Sequence, residues 1–168
     1  MIGERYVTQY SLDSCGTDAS SWPRCRASIG LEPSRPPTEG RLEILVVDDS
    51  KVMREMIVAC LRGEPGLRFT HAASGLEALE RLSLTRFDLV FLDLNMPDIG
   101  GFEVLEFVRA QDVMRHVPII VVTTRGDESS RERALAAGAT RFMTKPFEPA
   151  EILAELRSLL PARPSPAS

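Results

Sequence analysis

Four short stretches of this sequence carry side chains suited to charge chemistry. Asp48 and Asp49 are adjacent and directly follow an apolar run. Asp93 follows another in FDLVFLDLNMP, Thr123 and Thr124 end a third, and Lys145 stands in TKPF. Two acids at the end of a buried run either cap the next helix or hold something positive. Unit charges ~4 Å apart interact by roughly 4 kcal/mol at an effective dielectric near 20, so three gathered carboxylates repel strongly unless they protonate or bind a cation. A hard divalent ion relieves that repulsion. Magnesium suits a site with few carboxylates, several waters and a phosphate oxygen, and Lys145 would offset one further charge. Taken singly, each residue has a plain account: Asp49 or Ser50 as a helix cap, Asp93 as a loop acid, Lys145 as a solvated lysine. What they do depends on whether the fold gathers them.

The elements between them alternate. Short apolar or β-branched runs at 42–47 (LEILVV), 67–72 (LRFTHA), 88–92 (DLVFL), 117–122 (VPIIVV) and 139–143 (ATRFM) read as strands. The first, third and fourth are nearly continuous apolar, as parallel strands covered on both faces require. Amphipathic stretches separate them. Met53, Met56, Ile57, Cys60 and Leu61 mark one helical face, which makes Cys60 a core residue rather than a reactive thiol. Ser74 and Glu77 have capping-box spacing, with Leu76, Leu79 and Leu82 following on one side. Val104, Leu105 and Val108 mark a third helix, and an Ala-rich fourth runs from Arg131 to Ala137 with Gly138 placed to cap it. Glu148 and Pro149 open a fifth, with a buried stripe of Ile152, Leu153, Leu156, Leu159 and Leu160 that Pro161 should end.

Five βα units in a row predict an α/β fold, a parallel sheet with helices on both faces. Ligands of such sheets bind beyond the carboxyl ends of the strands. The acid pair, Asp93, Thr123 and Lys145 all fall at strand ends, so three carboxylates, a hydroxyl and an ammonium should converge on one rim.

The bulk properties narrow the class. The chain has 168 residues and 43% hydrophobic content, enough for one domain with a core. A net charge of −4 argues against general nucleic-acid binding. No apolar run approaches the roughly 20 residues of a membrane span. The N-terminus lacks a basic start followed by an apolar stretch, so no secretion signal is expected. Cys15, Cys25 and Cys60 suggest no disulfide framework. A cytoplasmic protein is expected. Residues 1–40 are Ser-, Pro- and charge-rich without periodicity and read as disordered, as does the tail 162–168. Cys15 and Cys25 flank Trp22, but two thiols without a nearby histidine make a poor zinc site. His71 and His116 read as surface residues and not as phosphoacceptors.

The ordered set VVDDS at 46–50, LDLNMPDIGG at 92–101, VVTT at 121–124 and KPF at 145–147 resembles the receiver domain of two-component response regulators. The resemblance covers about residues 41–161. It implies a (βα)5 flavodoxin-like doubly wound sheet with strand order 2-1-3-4-5. It implies that Asp93 is the phosphoacceptor, forming an acyl phosphate. Asp48, Asp49, Asp93 and the backbone carbonyl of Asn95 would hold Mg²⁺. Lys145 would pair with Asp93 and then with phosphate oxygens, its ammonium aimed inward by a cis bond to Pro146. Thr123 would donate its hydroxyl to the phosphoryl group, and Phe142 would switch by packing. Asn95 and Arg125 would tune access of water to the acyl phosphate. Gly100 stands where an aspartate is common, which should loosen the loop before the third helix.

Little sequence follows Phe147, so the expectation is a stand-alone receiver. It would take a phosphoryl group from a histidine kinase or histidine phosphotransfer protein. It would signal to a target protein through the face made by the fourth helix, fifth strand and fifth helix, with a phosphorylation-dependent homodimer as a further possibility. No direct contact with nucleic acid or membrane is expected. Two alternatives stay open. One is a Mg²⁺-dependent phosphohydrolase with an aspartyl nucleophile, which usually has Asp-x-Asp after the first strand and a substrate-closing cap. The other is a receiver that binds partners without phosphorylation, against which the complete acidic set argues.

Overall fold

A computed structural model describes residues 41–124 and 126–160. The expectations for residues 1–40, the tail and Arg125 lie outside these. Five βα units follow in order: β1 (Leu42–Val47), α1 (Lys51–Leu61), β2 (Leu67–Ala72), α2 (Gly75–Leu84), β3 (Leu89–Leu92), α3 (Gly101–Ala110), β4 (Ile119–Thr123), α4 (Glu128–Ala136), β5 (Arg141–Thr144) and α5 (Pro149–Leu159). The strands form one parallel sheet in the order β2-β1-β3-β4-β5. This is the expected doubly wound arrangement, with β1 and β3 adjacent at its centre.

Strand alternation divides the core in two. Leu45, Val47, Val90, Leu92, Ile119 and Val121 pack against Ala78 and Leu82 of α2, Val104, Leu105 and Val108 of α3, and Ala134 of α4. Ile44, Val46, Leu89, Phe91, Ile120 and Val122 pack against Ile57 and Leu61 of α1 and Ile152 and Leu156 of α5. Both faces of the central strands are therefore dry, which is why their sequences are continuous apolar runs and not alternating ones. No helix among the described residues is long and apolar enough to cross a membrane.

Several boundaries and faces differ from the sequence reading. Pro118 has no N–H, and the β4 ladder begins one residue later, with the Pro118 carbonyl accepting from Val90. Leu76 is exposed, because Gly75 packs against Ile99 so closely that a Cβ would collide. The buried face of α2 is accordingly Gly75, Ala78 and Leu82. Met56 is also exposed and leaves the buried face of α1 to Ile57 and Leu61. Cys60 is half-buried against that core, and burial pushes its thiol pKa up, away from thiolate reactivity. His71 and His116 are exposed.

The helix ends follow local chemistry. Ser50 caps α1 by accepting from the Met53 N–H. Ser74 caps α2 in the same way, while Glu77 reaches past the cap to the Ala73 N–H. That bond, with Arg81 beside it, holds the Glu77 carboxyl below its ordinary range. Its contribution to stability is present above the ordinary glutamate pKa and is lost as pH falls through the lowered one. At α5, Pro149 occupies the first turn and the Glu151 carboxylate accepts from the Glu148 N–H. The helix ends at Leu159 with Leu160 as its C-cap, two residues short of the Pro161 expected as its stop.

Helix α4 closes on Gly138, whose φ of +100° only glycine adopts easily. The Gly138 N–H donates to Leu135 and the Ala139 N–H to Ala134, a Schellman closure. Arg109 of α3 brackets the same turn, donating to the carbonyls of Gly138, Arg115 and Val117. Gly138→Ala should lower stability by about 1–3 kcal/mol, since it combines a left-handed backbone with a collision against Arg109. Urea unfolding of the variant beside the wild type measures this; equal midpoints would contradict it.

Candidate functional site

The ladder register carries the polar residues to one edge. Val47 aligns with Leu92, Leu92 with Val121, and Thr123 with Thr144. One step further along each strand, backbone bonds still hold: Asp48 N–H to Ala72, Asp93 N–H to Val47 and Lys145 N–H to Thr123. Asp48, Asp93 and Lys145 are thus placed by the sheet itself, while their side chains reach the rim. One oxygen from each of Asp48, Asp49 and Asp93 lies within 4.8 Å of the others.

Asp48 and Asp93 are 1% and 4% exposed, so their charges cannot be left to water. Lys145 answers both. Its Nζ lies 2.6 Å from Asp48 Oδ2 and 3.3 Å from Asp93 Oδ2, and the Lys145-Pro146 bond is cis. The expected partner at rest was Asp93; the ammonium is closer to Asp48. The other Asp48 oxygen accepts from the Ser50 N–H at 2.9 Å. One ammonium among three carboxylates leaves two negative charges in excess. Asp93 Oδ1 is buried and has no hydrogen-bond partner among the described residues. A buried, unsatisfied carboxylate oxygen costs several kcal/mol unless a cation or donor reaches it. The donor set is all oxygen and hard, which fits Mg²⁺.

A cleft of ≈ 450 Å³ opens over this cluster, lined by Asp48, Asp49, Asp93, Asn95, Thr124 and Lys145, with Met53, Met56 and Pro146 as its apolar wall. Thr123, the last residue of β4, is fully buried. Asn95 Nδ2 donates to Thr123 Oγ1 and to Thr124 Oγ1, each at 2.9 Å. Phe142 stands apart, half-buried on β5. It borders a second cleft of ≈ 490 Å³ with Arg131, Glu151, Ala154 and Glu155, on the α4, β5 and α5 side.

Three residues at the site escaped the sequence reading. Arg54 donates to the backbone carbonyls of Asp48 at 2.5 Å and Asp49 at 3.3 Å, a second cation holding the acidic loop. Its place in the first turn of a helix gave no distinguishing signal. Thr124 was visible only as the second threonine of a pair. Gly101 starts α3 where a Cβ would collide with the Asp93 carbonyl, so the second glycine of DIGG lets the helix abut the Asp93 backbone. Gly100 is the α3 N-cap and makes no side-chain cap bond.

A family profile described as the response regulator receiver domain matches residues 44–157. This chain belongs to that family. Receivers are the phosphoacceptor domains of two-component signalling. The DNA-binding response regulator MtrA of Mycobacterium tuberculosis (strain CDC 1551) is 38% identical over 120 residues, 71% of this chain and 51% of that protein. The chain spans about half the length of the curated relatives it matches. Among solved structures, the chemotaxis protein CheY4 of Vibrio cholerae is 36% identical, with a TM-score of 0.66 over 71% of this chain and 99% of that one. The receiver of the sensor histidine kinase PA1611 of Pseudomonas aeruginosa PAO1 is 34% identical, with a TM-score of 0.65 over 71% and 97%. That structure holds a magnesium ion in its active-site cleft. The acidic pocket that receivers use for Mg²⁺ has its equivalent here in the carboxylate cluster.

Removing the ammonium exposes the charge imbalance. Lys145→Met should destabilise the protein by about 3–5 kcal/mol in chelator, because two buried carboxylates lose their partner. Excess Mg²⁺ should recover part of that loss by binding the folded state. Urea unfolding with and without the metal measures both; an unchanged stability in chelator would contradict the assignment.

Proposed function

We propose that Asp93 accepts a phosphoryl group from a phosphohistidine on a histidine kinase or histidine phosphotransfer protein, and that the change is read by a protein partner. The observation that carries this is Asp93 Oδ1: a buried oxygen without a hydrogen-bond partner among the described residues, beside two further acids and one lysine that line the same open cleft. A carboxylate in that position can attack phosphorus. The P–N bond to the donor histidine breaks as the O–P bond forms, and the imidazole leaves with the electron pair.

Phosphoryl transfer asks the protein for position and charge neutralisation more than for covalent chemistry. Bound Mg²⁺ would supply the positive charge that draws phosphoryl oxygens to the acids. Asp48, Asp49, Asp93 and the Asn95 carbonyl would hold it. Lys145, already between Asp48 and Asp93, would turn to a phosphoryl oxygen. Thr123 at the end of β4 would donate its hydroxyl to another. That movement would draw in the loop after β4. Phe142, half-buried beside the second cleft, would repack into the room released. The face made by α4, β5 and α5 would then meet its target, which includes a second copy of this chain. Residues 41–161 are the unit that does this.

Incubation with Mg²⁺ and a small phosphodonor such as acetyl phosphate should label the protein with an alkali-labile phosphoryl group. Asp93→Asn should lose all of the label, and turnover of a generic phosphomonoester should stay at background. Label retained in Asp93→Asn, or steady release of phosphate from the phosphomonoester, would overturn the assignment; the second result would favour the phosphohydrolase.

A further inference from the structure

The Asn95 side chain ties the loop after β3 to the end of β4, and its partners include a threonine with no role so far. We propose that Thr124 is a positioning residue: acting through Asn95, it sets the direction in which the Thr123 hydroxyl donates. This rests on the reading of Asp93 as phosphoacceptor and assigns a further residue to the response. Asn95 Nδ2 lies 2.9 Å from each threonine oxygen. An amide nitrogen carries two N–H groups, so both are spent on these hydroxyls. The Thr123 oxygen is therefore an acceptor toward Asn95, and its own hydrogen is directed to another side. Phosphoryl oxygens are acceptors and require the hydroxyl in that donor sense.

Thr124 bears on this because an amide can present either end. In this structure the nitrogen end spans both threonine oxygens and the carbonyl end faces away. Without the Thr124 hydroxyl, one N–H loses its acceptor. The amide is then able to turn its carbonyl toward Thr123, which would spend its hydrogen on Asn95 instead of on the phosphoryl group. Thr123 is fully buried, whereas Thr124 is exposed at the cleft that Asp93 and Lys145 line. Thr124 can therefore be changed without disturbing the core.

The test uses the full chain, Mg²⁺ and beryllofluoride as the phosphoryl mimic, with binding followed by the amide resonance of Thr123. Thr124→Val should bind beryllofluoride about 2- to 10-fold more weakly, the range of one neutral hydrogen bond. Thr124→Ser should match the wild type. In Mg²⁺ alone, the Asn95 side-chain NH2 resonances should move in Thr124→Val and return toward wild type in Thr124→Ser, while the Tm values of all three proteins agree. Equal affinity in Thr124→Val overturns the proposal, as does a serine variant as weak as the valine one. A wild type that does not bind beryllofluoride at all overturns the Asp93 reading and this proposal with it.

Discussion

The structure depends on a charge imbalance held at the carboxyl edge of a dry sheet. Asp48 and Asp93 are buried, Asp49 adds a third carboxylate within reach, and Lys145 is the ammonium between them. Burying an ion costs several kcal/mol, and only good geometry with further hydrogen bonds repays it. The protein repays it in part. The Ser50 N–H and Lys145 satisfy Asp48, and Arg54 braces the carbonyls of the acid pair. Asp93 Oδ1 is where the repayment stops. That oxygen is what the proposed cation and phosphoryl group would complete together.

The rest of the fold keeps this edge stiff and its surroundings responsive. Central strands packed on both faces leave little room for Asp48 and Asp93 to move. Helix α4 is held differently. Ala134 is its buried residue, and its other anchors are the Asp127 cap, the stacking of Arg133 on the Phe102 ring and the Schellman turn braced by Arg109. An element with few buried apolar contacts sits at the low end of local stability. Its N-terminus follows the β4 loop, the segment that a shift of Thr123 would pull first.

Much of this was legible in the residues because burial and chain direction leave pattern in sequence. Continuous apolar runs marked β1, β3 and β4 as doubly covered. The ends of those runs then brought Asp48, Asp49, Asp93 and Thr123 to one rim, and the end of the fifth strand added Lys145. What was not legible has a common cause: it depends on distances between segments far apart in the chain. Met56 and Leu76 have apolar spacing but face solvent, since helix rotation is decided by neighbours such as Ile99. Whether Lys145 leans to Asp48 or Asp93 is a matter of fractions of an ångström. The Asn95 bonds join residues 28 and 29 positions apart, and neither member of such a pair signals the other. Gly101 was visible as a glycine, but its reason, the Asp93 carbonyl beside it, exists only in three dimensions.

The central claim is that one divalent cation and one phosphoryl group complete the acidic pocket. A crystal structure with Mg²⁺ and beryllofluoride bound tests it most directly. The account predicts a single octahedral ion with carboxylate ligands from the acid pair and Asp93 at ~2.0–2.1 Å, beryllium on Asp93 and a fluoride within reach of both Lys145 and Thr123. Carboxylates turned apart with no shared ion, or beryllofluoride seated away from Asp93, would contradict it.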